Sequence, residues 1–255
     1  MRQENAGVGP ARNRGLAEAT NDWALMVDDD DELLDGALDA IRREIPGWEA
    51  QAAFPVLTFA SSNAWLPFEG GRALTFEDYA LGRFRGDLIP LIHRQRFLAA
   101  GYGYPDTRVG GEHLLWYRIA ADATIPASSL RVAQIHDDAL GRLTSAEAHL
   151  RRAPEHAELQ EETLARFGDA LRELPQDAYA RRRLGAATFR LLNGDRSAAR
   201  EHLRLSELPR LDRRRLGLLL ATLLPHRLVA GLFVRYRRRQ WSRAIPETKA
   251  RGTAQ

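Results

Sequence analysis

Four consecutive carboxylates, Asp28-Asp29-Asp30-Asp31, follow directly on the apolar run Trp23-Ala24-Leu25-Met26-Val27. An apolar run that ends abruptly in acid predicts a buried strand delivering its carboxylates to the carboxyl edge of a sheet, where open α/β folds bind ligands. So much negative charge in one turn is costly unless a cation offsets it, and a hard divalent ion is the usual one. A second reading stays open: Asp30 and Asp31 cap a helix running from Glu32 to Ile41, because carboxylates are favoured at helix N-termini. Capping uses one or two acids and leaves the others unexplained.

The elements that would position this run read as α/β from residue 1 to 138 and as all-helical from 139 to 255. Asn5 to Pro10 reads as a loop with Gly7 and Gly9, and Ala11 to Thr20 as a short helix with Pro10 at its start. After the strand Trp23 to Val27 comes a helix over Glu32–Glu44, closed by Pro46-Gly47. Further strands are expected at Phe54–Phe59, Asp87–Ile92 and Ser129–Ile135, the last ending at His136-Asp137-Asp138. Ser61 to Gly71 reads as a loop with Trp65 and Phe68. Arg94 to Ala100 reads as a helix, Gly101 to Asp106 as a turn-rich loop. Gly110-Gly111-Glu112-His113 opens a helix with Leu115 and Ile119 on one face.

Past residue 140, Leu159, Leu164, Phe167, Leu171 and Leu174 keep helical spacing up to Pro175. Tyr179–Leu192 and Arg196–Leu208, joined by Asn193-Gly194-Asp195, predict one tetratricopeptide-type hairpin; a single copy makes a cap and not a solenoid. Leu216 to Val234 is the most apolar stretch. Pro225-His226-Arg227 interrupts it, so neither half reaches the roughly 20 residues of a spanning helix. Flanked by Arg213-Arg214-Arg215 and Arg235 to Arg239, it suits an interfacial helix on an anionic membrane; packing as an ordinary helix of the cap is the other reading.

Composition bounds the rest. The chain has 255 residues, 44% hydrophobic and 28% charged, long enough for one mid-sized domain and a small one. Cysteine is absent, which rules out disulfides, thiolate metal sites and a cysteine nucleophile and fits a reducing compartment. Met1 to Asn5 shows no apolar segment of a secretory signal, so none is expected there. The net charge is +3, with acids gathered at Asp28–Asp31 and arginines at the C-terminus. A basic tail fits lipid headgroups or nucleic acid, or is simply a solvated helix face. Nucleic-acid binding is set aside because the interleaved aromatics and recognition motifs it needs are missing.

Two stretches resemble the family 2 glycosyltransferases: Asn5-Ala6-Gly7 through Ala11-Arg12-Asn13-Arg14-Gly15-Leu16, and Leu25-Met26-Val27-Asp28-Asp29-Asp30-Asp31-Glu32-Leu33-Leu34 followed by Asp35-Gly36-Ala37-Leu38. The resemblance implies a GT-A (Rossmann-like) nucleotide-sugar transferase domain. In that family Asp28 and Asp30 would form the Asp-x-Asp pair that holds Mg²⁺ or Mn²⁺ against the diphosphate, with Asp31 beside them on the sugar. Asn5, Arg12 and Asn13 would lie near the donor nucleotide. Gly111-Glu112-His113 with Trp116 and Arg118 resembles the acceptor-side segment that supplies the general base of inverting transfer. Here His113 stands where Asp is usual, so the base is Glu112, with His113 as the alternative. His136 resembles a residue that follows the last strand in relatives and can touch the metal or diphosphate.

The family's opening strand, ending in Pro-x-Tyr-Asn, and its second acidic strand end are missing. The resemblance therefore implies a domain that lacks its first strands, from a misplaced start, a degraded gene or a partner-dependent half-protein, with poor turnover. The function expected is transfer of sugar from a nucleotide-sugar to a glycan or lipid-linked acceptor of the bacterial cell envelope. It would act in the cytoplasm or peripherally on the cytoplasmic face of the inner membrane. A non-catalytic module that docks on a membrane or a partner is the competing reading.

Overall fold

The structure, a computed structural model, describes residues 4–136, 145–175 and 177–244, with the side chains of the last segment described to Arg237. It divides into two compact units, residues 1–140 and 141–255. The expected boundary at 138/139, and the strand end at Asp137-Asp138, lie outside the described residues.

The first unit runs α1 (Val8–Glu18), β1 (Trp23–Leu25), β2 (Glu32–Leu33), α2 (Ala37–Glu49), β3 (Val56–Ser61), β4 (Gly71–Leu74), α3 (Phe76–Leu81), β5 (Leu88–His93), α4 (Arg94–Ala99), α5 (Glu112–Asp122) and β6 (Ile125–Gln134). One six-stranded mixed sheet carries the order β1-β5-β3-β6-β2, with β4 also on β6; β3 and β6 are parallel and the other pairings antiparallel. Side chains alternate across a strand, so Val56 and Ile92 join Leu16, Phe97, Leu115 and Ile119 on one face. Leu57, Phe59 and Leu91 face Ala37, Ile41 and Val132 on the other. Helices on both faces of a mixed sheet agree with the expected mixed α/β class.

Several local expectations are corrected. Glu32 and Leu33 are strand and not helix: they pair with Gln134 and Ala133, and the helix waits until Gly36, whose left-handed backbone (φ 71°) ends the preceding segment. Asp30 and Asp31 therefore cap no helix. The strand after Asp22 is Trp23–Leu25, half-buried at the sheet edge and not buried. α1 starts at Val8, three residues earlier than expected, with Pro10 in the first turn, where its missing N–H is not needed. α2 continues through Pro46 to Glu49.

Gly71–Leu74 and Phe76–Leu81 were not anticipated. α3 is opened by a capping box in which the Thr75 hydroxyl accepts from the Asp78 N–H and the Asp78 carboxylate accepts from the Thr75 N–H. Burial opposes the Asp78 charge, but Arg72 and Thr75 outweigh it and hold its carboxyl below the usual range.

The second unit is helical throughout its described residues: α6 (Ala146–Arg151), α7 (Ala153–Arg172), α8 (Ala178–Leu192), α9 (Arg196–Arg204), α10 (Arg213–Ala221) and α11 (His226–Ala244). α8 and α9 form the expected hairpin, turned by Gly194 at φ 83° and capped by Asp195, whose carboxylate accepts from the Ala198 N–H. Glu161 of α7 ties the hairpin together, accepting from Arg190 at 2.6 and 2.7 Å and lying 2.9 Å from the His202 ring. The Leu216–Val234 stretch becomes two helices. Leu218, Leu224 and Phe233 pack against a core of Ala153, Leu191, Leu192, Ala199 and Val229. No described helix is long and apolar enough to cross a membrane.

His156 of α7 is buried and stacked between His149 (4.5 Å) and Phe189 (4.7 Å). Burial, then the His149 ring, pushes its pKa down from 6.5 to about 4, against the opposing charge of Glu155. A lowered histidine pKa means the unfolded chain binds more protons, so this contribution is complete above 6.5 and is lost as pH falls toward 4. Urea titrations of the helical unit's unfolding should show a loss of about 2 kcal/mol between about pH 7 and pH 5, mostly absent in His156→Phe.

Candidate functional site

The strand registers bring several chain segments to one edge of the sheet. β1 is antiparallel to β5, β5 to β3, and β3 runs parallel to β6, so the ends of β1, β3 and β6 meet the start of β5. Beyond β1 the Met26 N–H donates to Pro90 (2.9 Å), and the chain then turns, the Asp31 N–H donating to Asp28 (3.1 Å). β2 fixes the far end of the turn against β6, where the Leu34 N–H also reaches Val132 (3.0 Å). The acidic run is thus a loop held at both ends by sheet hydrogen bonds.

That loop gathers Asp28, Asp30 and Asp31, each offering an oxygen, with all three oxygens within 4.8 Å of one another. Asp29 stands outside the group. Burial, together with the carboxylates of Asp30, Asp28 and Asp87, raises the Asp31 pKa; the His136 N–H, donating at 3.3 Å, works the other way. Three convergent carboxylates are hard oxygen donors, the set that suits Mg²⁺ or Mn²⁺ rather than a soft metal. His136, expected among the metal ligands, lies outside the group: its main chain holds Asp31, while its ring lies 3.7 Å from Glu32.

Arg12, on α1, links this loop to α5 by pairing with Asp28 through one guanidinium nitrogen and with Glu112 through another. It also lies over the Tyr104 ring, 5.2 Å from its centroid. Burial opposes the Arg12 charge, but Glu112 and Asp28 outweigh it and keep its pKa above the ordinary value. Glu112 is the first residue of α5, behind Gly110 and Gly111 at φ 86° and 96°, a backbone that disfavours side chains bearing Cβ. His113, one position on, lies edge-on to Tyr117 at 5.6 Å, so Glu112 and His113 occupy different surroundings.

Asn13 and Asn5 have their polar groups engaged within the chain. The Asn13 amide clamps the Tyr104 main chain, donating to its carbonyl and accepting its N–H, both at 2.8 Å. Asn5 accepts from the Gly7 N–H at 3.2 Å and steadies the entry to α1. Gly9 lets α1 approach the 101–106 loop: a Cβ there would sit 2.1 Å from the Pro105 carbonyl oxygen. Gly9→Ala should therefore cost about 2–4 kcal/mol in unfolding free energy and weaken ligand binding, since α1 carries Arg12; chemical denaturation reads the first effect directly.

Sequence reasoning missed a polar pair at the same edge. Asn63 donates to the Asp87 carboxylate (2.8 Å) and accepts the Asp87 N–H (2.9 Å), while the Ser62 hydroxyl accepts the Ile135 N–H (2.9 Å). Their signal was polar residues flanking the anticipated strands; the pairing itself is a long-range event. Tyr104, buried between Arg12 and Trp116, was also missed. Burial raises its pKa.

Residues 1–90 match the family model described as Glycosyl transferase family 2. The match covers α1, Arg12, the acidic loop and the strands to β5, whereas Glu112, His113 and His136 lie beyond it. No curated protein matches the chain.

Proposed function

We propose that the protein, whose residues 1–90 match the family model described as Glycosyl transferase family 2, transfers a sugar from a nucleotide-sugar donor to a glycan or lipid-linked acceptor, with inversion and with Mg²⁺ or Mn²⁺ at Asp28, Asp30 and Asp31. The observation that supports this reading best is the convergence of these three carboxylates beside an arginine already paired with Glu112. When bound, the ion offsets negative charge on the leaving nucleoside diphosphate.

Glu112 receives the proton of the acceptor hydroxyl. The acceptor oxygen forms its bond to the anomeric carbon from the face opposite the diphosphate. The carbon–oxygen bond to the diphosphate breaks, and its electron pair departs with that group. Arg12, bridging Asp28 and Glu112, holds the donor-side and acceptor-side carboxylates in register, and Asp31 is positioned through the His136 N–H. His113 is the alternative base. The reaction would take place in the cytoplasm, on substrates of cell-envelope synthesis.

Incubating the protein with a panel of nucleotide-sugars and Mn²⁺, and following nucleoside diphosphate release by chromatography, tests this. Release from one donor, abolished by a chelator and restored by Mn²⁺, is the expected result. No release from any donor, with or without acceptor glycans, would favour a non-catalytic docking module.

A further inference from the structure

The C-terminal helices present an apolar face that the helical unit leaves uncovered. On α10 and the turn after it Leu219, Leu220 and Leu223 are 39%, 63% and 68% exposed, and on α11 Leu228 and Leu232 are 55% and 56% exposed. Leu228 and Leu232 are four apart and share one side of α11, roughly 100° around the helix from the inward stripe of Val229 and Phe233. Five leucines this exposed within residues 219–232 exceed the singly scattered apolar residues that are normal on a soluble surface.

The face is held in place and is not a fraying end. Arg196 donates to the Leu224 carbonyl (2.8 Å), Arg200 to the Thr222 hydroxyl (3.1 Å), and the His226 ring lies 2.8 Å from the Leu192 carbonyl. These bonds pin the turn between the two helices to the α8–α9 hairpin.

Charge identifies what covers it. From Arg213 to Pro246 the sequence has no Asp or Glu, while arginines recur on both sides of the leucines. Arg213, Arg227 and Arg235 are exposed and form no ion pair among the described residues. On a helical projection Arg235 borders the Leu228–Leu232 stripe, and Arg227 lies further round on the same side, roughly 100° from Leu228. An apolar stripe edged by unneutralised arginine matches a surface that is hydrocarbon just beneath a layer of negative headgroups. A second copy of this chain would set arginine against arginine. We propose that the exposed face of α10 and α11 lies in the headgroup layer of an anionic membrane, with its leucines inserted and its arginines on lipid phosphate. The proposal is independent of the sugar-transfer reading.

Co-sedimentation of the full chain with vesicles tests it. Vesicles of phosphatidylcholine with roughly one phosphatidylglycerol in three lipids should pellet the protein, and pure phosphatidylcholine vesicles should not. Leu223→Ser with Leu228→Ser, exposed positions that leave the core untouched, should weaken pelleting about tenfold while circular dichroism stays unchanged. Arg227→Gln with Arg235→Gln should weaken it and flatten its salt dependence. The proposal is overturned if the protein stays in solution with anionic vesicles, if neutral vesicles pellet it equally, or if the leucine variant pellets like the parent. It is also overturned if light scattering shows a dimer that the leucine variant dissociates while vesicle binding is unaffected.

Discussion

Asp28→Ala and Asp30→Ala are each expected to lower sugar transfer by about a thousandfold, the scale of a lost transition-state charge stabilisation of several kcal/mol. Asp29→Ala, whose carboxylate lies outside the convergent group, should leave activity within a fewfold of the parent. The contrast matters more than the absolute loss, since all of these residues lie in one exposed turn. Removing a carboxylate from a group of like charges relieves repulsion, so the unfolding free energy of Asp28→Ala should not fall appreciably from charge alone. The lost pairing with Arg12 is partly exposed and of small worth. Parallel measurement of thermal unfolding and of diphosphate release separates these effects. Equal losses across all three alanine variants would mean that the loop's shape, and not a specific donor set, carries the activity.

Glu112→Gln is the second large expectation: a fall in kcat of roughly 10²–10⁴, the usual contribution of a positioned general base, with the donor's apparent affinity little changed. His113→Gln should fall far less, because the His113 ring is edge-on to Tyr117 while Glu112 is turned to Arg12 and the acidic loop. The reverse ranking would reassign the base to His113. Arg12→Met should lower kcat as well, and its effect should be less than additive with Glu112→Gln, because the two side chains act through one contact.

The parts of this arrangement readable in the sequence were those set by local chemistry. The acidic run after an apolar strand, the Asn5 to Leu16 stretch and the glycines before Glu112 each announce themselves within a few residues. Glu32-Leu33 was misread because its neighbours favour a helix, while its actual partners, Gln134 and Ala133, lie about a hundred residues later. The same distance hid the meeting of Arg12 with Glu112 and the clamp of Asn13 on Tyr104. The β4–α3 segment was different: Thr75-Phe76-Glu77-Asp78 carries a capping signature that could have been found. In the helical unit, the sequence shows Leu216 to Val234 as an apolar stretch flanked by arginines and interrupted at Pro225-His226-Arg227. Only the structure separates the buried stripe through Val229 and Phe233 from the exposed one through Leu228 and Leu232.

Sugar transfer as proposed requires that Asp28, Asp30 and Asp31 form a metal-assisted diphosphate site. Titration calorimetry with a panel of nucleoside diphosphates, run with Mn²⁺ and again with a chelator, tests it most directly. One nucleotide should bind, binding should require Mn²⁺, and Asp28→Ala with Asp30→Ala should abolish it while the fold is retained. Binding of equal strength without metal, or undiminished in the double variant, would contradict it.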